Sequence, residues 1–359
     1  MDSKPAATFA AAARPPQVLC LGEALVDRLG PPGGDPASDR AGDDRLGGAP
    51  ANVACGLARL GTPVAFLGRL GRDAIGEAFA ALFAARGVDT RALQWDDHLP
   101  SRIVLVRRDA AGERSFGGFA GGAGAAGAAG AAVFADQALA AERLSAALGP
   151  LLAAARWLLV GTIPLASPAA ASALQLACLQ AATAGVALAL DVNWRPTFWD
   201  TAADPASGPG PEALALMRPL LEQAALIKCA REEAEWLFGS AVAAAVSAAL
   251  PQRPAVVVSD GGAPLSWCLG GHSGVLPAFP VPLRDSTGAG DAFTAGLLHQ
   301  LCAQPRLLAA QQGSPADRQA LVAALRFAAA CGALVCQGAG AIDPQPDQAQ
   351  VQAFLAARA

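Results

Sequence analysis

Short apolar strands alternate with longer helical stretches over most of this chain, which leaves few folds open to it. Strand patterns lie at 17–22, 64–68, 157–161, 186–191, 226–229 and 255–259. Helical patterns lie between them at 50–60, 75–86, 168–184, 211–224 and 231–238. Such alternation predicts an α/β fold, a mostly parallel sheet with helices on both faces. Ligands of such sheets bind beyond the carboxyl ends of the strands. The loops after Asp191, Lys228 and Ser259 are therefore where chemistry is expected. With 359 residues, 53% of them hydrophobic, the chain can bury a large core.

Two regions break the pattern. Residues 24–46 are rich in Gly, Pro and Asp, and 95–119 read as short alternating strands with a turn at 109–113. Together they predict a small β lid on the main domain. A low-complexity Gly/Ala run at 117–132 reads as a flexible loop. The Ala/Pro-rich residues 1–16 read as a disordered tail without the basic head and apolar stretch of a secretory signal. The domain is expected to span 17–350.

Composition excludes several classes. A formal net charge of -4 offers no broad basic surface for nucleic acid. No apolar run is long enough to span a membrane without Gly or Pro breaks. The eight cysteines are scattered with no C-x-x-C, so free thiols in a reducing cytoplasm are expected. The three histidines lack the spacing of zinc ligands. No G-x-x-x-x-G-K-[S/T] phosphate loop occurs. Gly22-Glu23-Ala24-Leu25 after the first strand is not the G-x-G-x-x-G of a nicotinamide dehydrogenase.

Two glycine turns carry the chemical signal. Residues 285–293 read DSTGAGDAF, followed by an apolar helical pattern. Small residues let a backbone turn tightly and bare its N–H groups, and at a helix start those groups and the helix dipole favour an anion. Asp291 then sits in the first helical turn, where a carboxylate can take a proton from an attacking hydroxyl. The bland alternative is that it only balances the helix N-terminus. The second turn, GGAPANVA at 47–54, opens another helix and points Asn52 the same way, as a hydrogen-bonding partner for a polyol.

These two segments, in this order and at this separation, resemble the two signatures of the ribokinase-like (PfkB) carbohydrate kinases. The likeness runs from about residue 18 to about 346. Asp191-Val192-Asn193-Trp194-Arg195, with Trp199 after it, resembles the D-x-N-x-R-x-x-x-W stretch of fructokinases and 2-keto-3-deoxygluconate kinases.

The resemblance implies a three-layer sandwich with a β lid, ATP and magnesium as cofactors, and a small sugar as substrate. Fructose is favoured by GGAPANVA, with 2-keto-3-deoxygluconate or ribose next. It further implies Asp291 as catalytic base and Gly288, Ala289 and Gly290 as the anion hole. Asp27, Gly48 and Asn52 match sugar contacts. Lys228 and Glu233 resemble the segment near the ATP phosphates and the magnesium-bound water. Ser259 and Gly261 resemble a turn beside the nucleotide. Asp285 and Thr287 correspond to a monovalent-cation loop, potassium being the candidate, and the lid can carry a homodimer contact.

Read from the residues alone, several roles stay open. Arg195 either reaches substrate or pairs with Asp191. Glu233 either serves the metal water or offsets its helix dipole. Lys228 either faces the site or makes a surface ion pair. Ala230 and Ala329 replace polar residues usual in the family, which weakens nucleotide contacts by about 0.5–1.5 kcal/mol per lost hydrogen bond. A non-catalytic sugar-binding relative is the rival these losses keep open, although the base and the anion hole are both intact.

Overall fold

A computed structural model describes residues 14–31, 33–37, 43–108, 114–120, 133–308 and 314–358. The tail over 1–13, the turn at 109–113 and the Gly/Ala run from 121 lie outside the described residues.

Fourteen strands are described: β1 (Val18–Leu21), β2 (Leu25–Leu29), β3 (Asp43–Gly47), β4 (Val64–Leu67), β5 (Arg69–Gly71), β6 (Gln94–Asp96), β7 (Ile103–Arg108), β8 (Arg114–Phe119), β9 (Trp157–Val160), β10 (Ala187–Asp191), β11 (Leu226–Ala230), β12 (Ala255–Ser259), β13 (Leu265–Leu269) and β14 (His272–Leu276). An eight-stranded sheet runs β14-β13-β12-β11-β10-β9-β1-β4. Its strands are parallel from β12 to β4, and β13 and β14 extend it antiparallel. Helices cover both faces, as in the ribokinase-like three-layer sandwich.

The period of two along each strand divides the core. Leu19, Leu21, Leu158, Val160, Leu188, Leu190, Ile227 and Cys229 pack in one apolar layer. Val18, Cys20, Trp157, Leu159, Ala189 and Leu226 pack in the other, with Phe293, Leu297 and Leu298 of the helix Ala289–Ala303. Asp191 follows Ala189 by two residues, and Lys228 follows Leu226 by two. Both therefore fall on the face covered by Ala289–Ala303, directly opposite one another in register.

The strand order changes direction at β1, which lies between β4 and β9, so the loops after β1 and β9 part and leave a crevice at the carboxyl edge. A four-stranded sheet, β3-β2-β7-β8, stands over that edge as the lid. The expected lid range needs one adjustment. Gln94–Asp96 pairs with β5 in a separate two-stranded sheet. Asp96 holds it there by an ion pair to Arg69 at 2.7 Å and by accepting the His98 and Leu99 amides.

The helix segment Asp317–Val335 is long and apolar enough, by length and composition, to cross a membrane. Half of it is buried in the protein, and Leu321, Leu325 and Ala328 are core residues packed with Ala289–Ala303.

Candidate active site

Two helices start at the crevice. Ala49–Arg59 follows Gly48, and Ala289–Ala303 follows Gly288. Gly288 is left-handed, at φ 76°, and a Cβ on it would lie 2.5 Å from the Cβ of Ala341. Only glycine fits there. The first amides of the second helix have no carbonyl one turn earlier, so they remain available to an anion. Of these, the Ala289 amide also lies 3.2 Å from the Ser286 carbonyl, within a tight turn.

Asp291 sits in that first turn. Asn52, from the first turn of the other helix, donates from Nδ2 to Asp291 Oδ2 at 2.7 Å. Burial pushes the Asp291 carboxyl up from 3.8 to about 6. Nearby Asp191 adds to the rise, while the Asn52 hydrogen bond and the charges of Lys228 and Arg195 oppose it. A buried carboxylate that is ionised near neutral pH is suited to general-base work.

Lys228 rises from the sheet beneath the turn. Its Nζ pairs with Asp191 Oδ1 at 3.0 Å, and the pair is buried. A Cβ on Gly290 would lie 2.9 Å from the same Nζ, so the glycine lets the ammonium approach the turn. Burial alone would lower the Lys228 pKa, but the charges of Asp191, Glu233 and Asp291 outweigh it and the net direction is upward. Thr294, one turn after Asp291, donates to Asp191 Oδ2 at 3.0 Å. Of the two alternatives for Lys228, it faces the cavity, and its ion pair is an internal one. The alternative Arg195–Asp191 pair is not formed, and Arg195 donates to the Trp194 carbonyl at 2.8 Å.

A cavity of about 650 Å³ opens over these groups. Asp27, Gly48, Asn52, Arg195, Lys228, Asp285, Thr287, Gly288, Gly290 and Asp291 all line it. Asp27 lies on β2 opposite Arg45 of β3, with the bare Gly47 beside its carboxylate. Asp285 ties two loops together. Its Oδ1 accepts from the Thr287 amide and hydroxyl at 3.0 and 2.7 Å, and its Oδ2 accepts from the Gly340 amide at 2.9 Å.

Four expected site residues stand outside the cavity lining: Ala289, which starts the second helix between the lining residues Gly288 and Gly290, and Glu233, Ser259 and Gly261. Glu233 is buried, with Oε1 accepting from the Trp194 amide at 2.6 Å and Oε2 from the Ala230 amide at 2.7 Å. Burial raises its pKa despite those bonds and Lys228. Ser259 donates to the Cys229 carbonyl at 3.3 Å, and Gly261 turns the chain after β12 at φ 52°.

Other lining residues went unmarked in the sequence. Glu23 stands at the root of the lid, and Arg45 faces Gly340; Asn193, part of the D-x-N-x-R stretch but given no role there, holds a positive φ of 42°. The apolar lid wall comes from Leu25, Val104, Val106 and Phe116, with the half-buried Phe198 of the short helix Pro196–Trp199. The lid alternation at 101–108 carried a signal for Val104 and Val106; nothing local marked Glu23.

A lidded α/β sheet whose crevice holds a buried carboxylate and an amide turn at one helix start is the layout of a small-molecule phosphotransferase. The chain belongs to the pfkB family of carbohydrate kinases, whose sequence model matches residues 15–348. It is a sugar kinase. It is 32% identical over 350 residues to a fructokinase of Klebsiella pneumoniae, covering 94% of this chain and 99% of that protein. Fructokinase-1 of Zea mays is 30% identical over 338 residues, covering 93% and 96%. Among solved structures, the fructokinase of Xylella fastidiosa with bound ATP superposes with a TM-score of 0.77 at 28% identity, covering 95% of this chain and 98% of that one. The Vibrio cholerae O395 fructokinase bound to fructose, ADP and calcium ion gives 0.72 at 26%, covering 95% and 99%.

Proposed function

We propose that this sugar kinase transfers the γ-phosphoryl group of ATP to fructose, at a hydroxyl that Asp291 deprotonates. The observation that carries the reading is the Asn52–Asp291 hydrogen bond beside the Gly288–Gly290 turn, at one end of a cavity large enough for a sugar and a triphosphate. Asn52 holds Oδ2 and leaves Oδ1 to accept a substrate hydroxyl. The hydroxyl oxygen forms a bond to the γ-phosphorus, the bond from that phosphorus to the bridging oxygen of ADP breaks, and the proton passes to Asp291. The amides of Gly288, Ala289 and Gly290 and the Lys228 ammonium stabilise the charge on the moving group, an effect of about 10²–10³ in rate for one such donor. Asp27, Gly48 and Asn52 hold the sugar under the lid.

Magnesium fits as a companion of the nucleotide. Among the described residues no three or more His, Cys, Asp or Glu gather to hold an ion. That suits a cation that arrives on phosphate and keeps its waters. When bound it neutralises charge on the phosphate oxygens. Glu233, with both oxygens already on amides, would act on it only through water, and Ser259 and Gly261 would lie beside the nucleotide. Potassium would be held where Asp285 and Thr287 meet the 336–341 loop.

Fructose is supported by GGAPANVA, by the Asp191–Arg195 stretch and by the fructokinase relatives. The position of Arg195 in the cavity favours 2-keto-3-deoxygluconate as a second reading, since a guanidinium can take its carboxylate. A reducing cytoplasm belongs to the same reading, supported by eight free cysteines, as does pairing of two copies through the open lid sheet. A coupled ADP-release screen tests the substrate. It compares fructose, ribose and 2-keto-3-deoxygluconate, with and without potassium. Turnover of another sugar but not fructose would overturn the substrate, and no turnover of any would overturn the reaction.

A further inference from the structure

We infer that Glu23 works as an uncharged carboxylic acid, a positioning residue that ties the end of β1 to the helix start carrying Asn52. Glu23 follows β1 at the root of the lid and is 3% exposed. Its Oε1 accepts from the Ala49 amide at 3.2 Å, the first residue of helix Ala49–Arg59. Its own carbonyl oxygen lies 2.7 Å from where a Cβ on Gly48 would be. The side chain of Glu23 therefore holds this turn, and its main chain lies close against it, three and four residues before Asn52.

Among the described residues that hold has no matching positive charge: Glu23 forms no ion pair, and its Oε2 is enclosed without a hydrogen-bond partner. Two charged groups act on it from the elements packed around it. Arg102, at the root of β7, is committed elsewhere. It binds Asp136 at 3.0 Å and is covered by the rings of Phe119, Phe134 and Phe198 at 5.1, 4.9 and 4.7 Å. Asp136, in the turn Ala135–Ala138, repels a second carboxylate. An ionised, unpaired carboxylate in such a site is costly, and the group keeps its proton instead. In accord with this, burial and Asp136 push Glu23 up to about 8, against its backbone bonds and Arg102.

A neutral acid and its amide have the same shape, so Glu23→Gln and Glu23→Ala decide the matter. Thermal unfolding is followed from pH 5 to pH 9, and sugar and ATP KM are measured at pH 7. The folded wild type holds the Glu23 proton between 4.5 and about 8 while the unfolded chain has lost it. Folding stability therefore falls with rising pH over that window through this group. The expected result is that Glu23→Gln lacks this part of the decline, so that its Tm advantage over wild type grows towards pH 8. Sugar KM should rise about tenfold in Glu23→Ala, as for one lost hydrogen bond of ~1.4 kcal/mol. It should recover most of that rise in Glu23→Gln, with ATP KM nearly constant.

A Tm difference between Glu23→Gln and wild type that stays flat with pH, or a Gln variant as impaired in sugar KM as the Ala variant, would overturn the inference. The kinetic arm rests on the sugar-kinase reading of the cavity. The thermal arm needs no turnover, so the two fail separately, and it still decides if the Ala variant does not fold.

Discussion

Gly56 and Ala295 stand back to back where the helices Ala49–Arg59 and Ala289–Ala303 cross, so closely that a Cβ on Gly56 would lie 2.9 Å from the Cβ of Ala295. One turn earlier on each helix are Asn52 and Asp291. The small pair therefore sets the separation at which Asn52 and Asp291 meet. Gly56→Val is expected to push the helices apart, at a cost of about 1–3 kcal/mol for overpacking. The expected readouts are a lower urea midpoint and a lower kcat, with ATP KM little changed.

The Asn52 hydrogen bond holds down the pKa of Asp291, so its removal has a sign. Asp291 must be ionised to accept a proton. The acid limb of kcat/KM should therefore rise through about 6 in the wild type. Asn52→Ala removes a lowering influence, so the limb should move to higher pH. Loss of a hydrogen bond to a charged group, about 1.5–3 kcal/mol, should cut kcat/KM by roughly 10- to 150-fold. A pH–rate profile of the two proteins checks both.

The raised pKa of Asp291 is also a stability statement. The folded chain keeps this proton up to about 6, whereas the unfolded chain releases it near 3.8. The contribution of Asp291 to stability therefore falls as pH rises between those values. Asp291→Asn should remove this part of the pH dependence, measured as urea midpoints from pH 4 to pH 7.

Lys228 and Asp191 form a buried pair, with side chains 12% and 6% exposed. Among the described residues, Lys228→Met leaves the Asp191 carboxylate with only the Thr294 hydroxyl. Breaking one partner of a buried pair costs about 3–5 kcal/mol. Chemical denaturation should show a loss of that size, together with a fall in kcat. An unchanged midpoint would mean that the pair is open to water.

Gly288 is left-handed against Ala341. Gly288→Ala should distort the amide turn and lower kcat by about 10²–10³, the usual loss for one charge-stabilising donor. Sugar KM should change much less, because Asp27 and Asn52 lie on other elements.

The parts of this molecule readable in sequence are those written in short-range pattern. The six apolar strand patterns sit where the parallel strands lie, because a strand buried on both faces shows as a continuous apolar run. The Gly288–Asp291 turn was legible because its chemistry is local. The Asp191–Lys228 pair was not, since the register between β10 and β11 is fixed only when the sheet assembles. Nor was the Asn52–Asp291 contact, which joins residues 239 apart. The antiparallel strands β13 and β14 went unseen although Gly270-Gly271, both at positive φ, is a hairpin signal. Helices Ala141–Leu152 and Pro315–Val335 were missed because alanine suits buried and exposed faces alike and blurs the helical period. Glu23 had no local marker, because its role arises from what encloses it.

The most direct test is kcat for Asp291→Asn beside wild type, on whichever sugar the wild type phosphorylates, with folding checked by thermal unfolding. A base at this position predicts a loss of about 10²–10⁴ in kcat in a protein that still folds. Asp291→Asn turning over within about threefold of wild type would contradict proton removal by this carboxylate, since a general base contributes at least ~10².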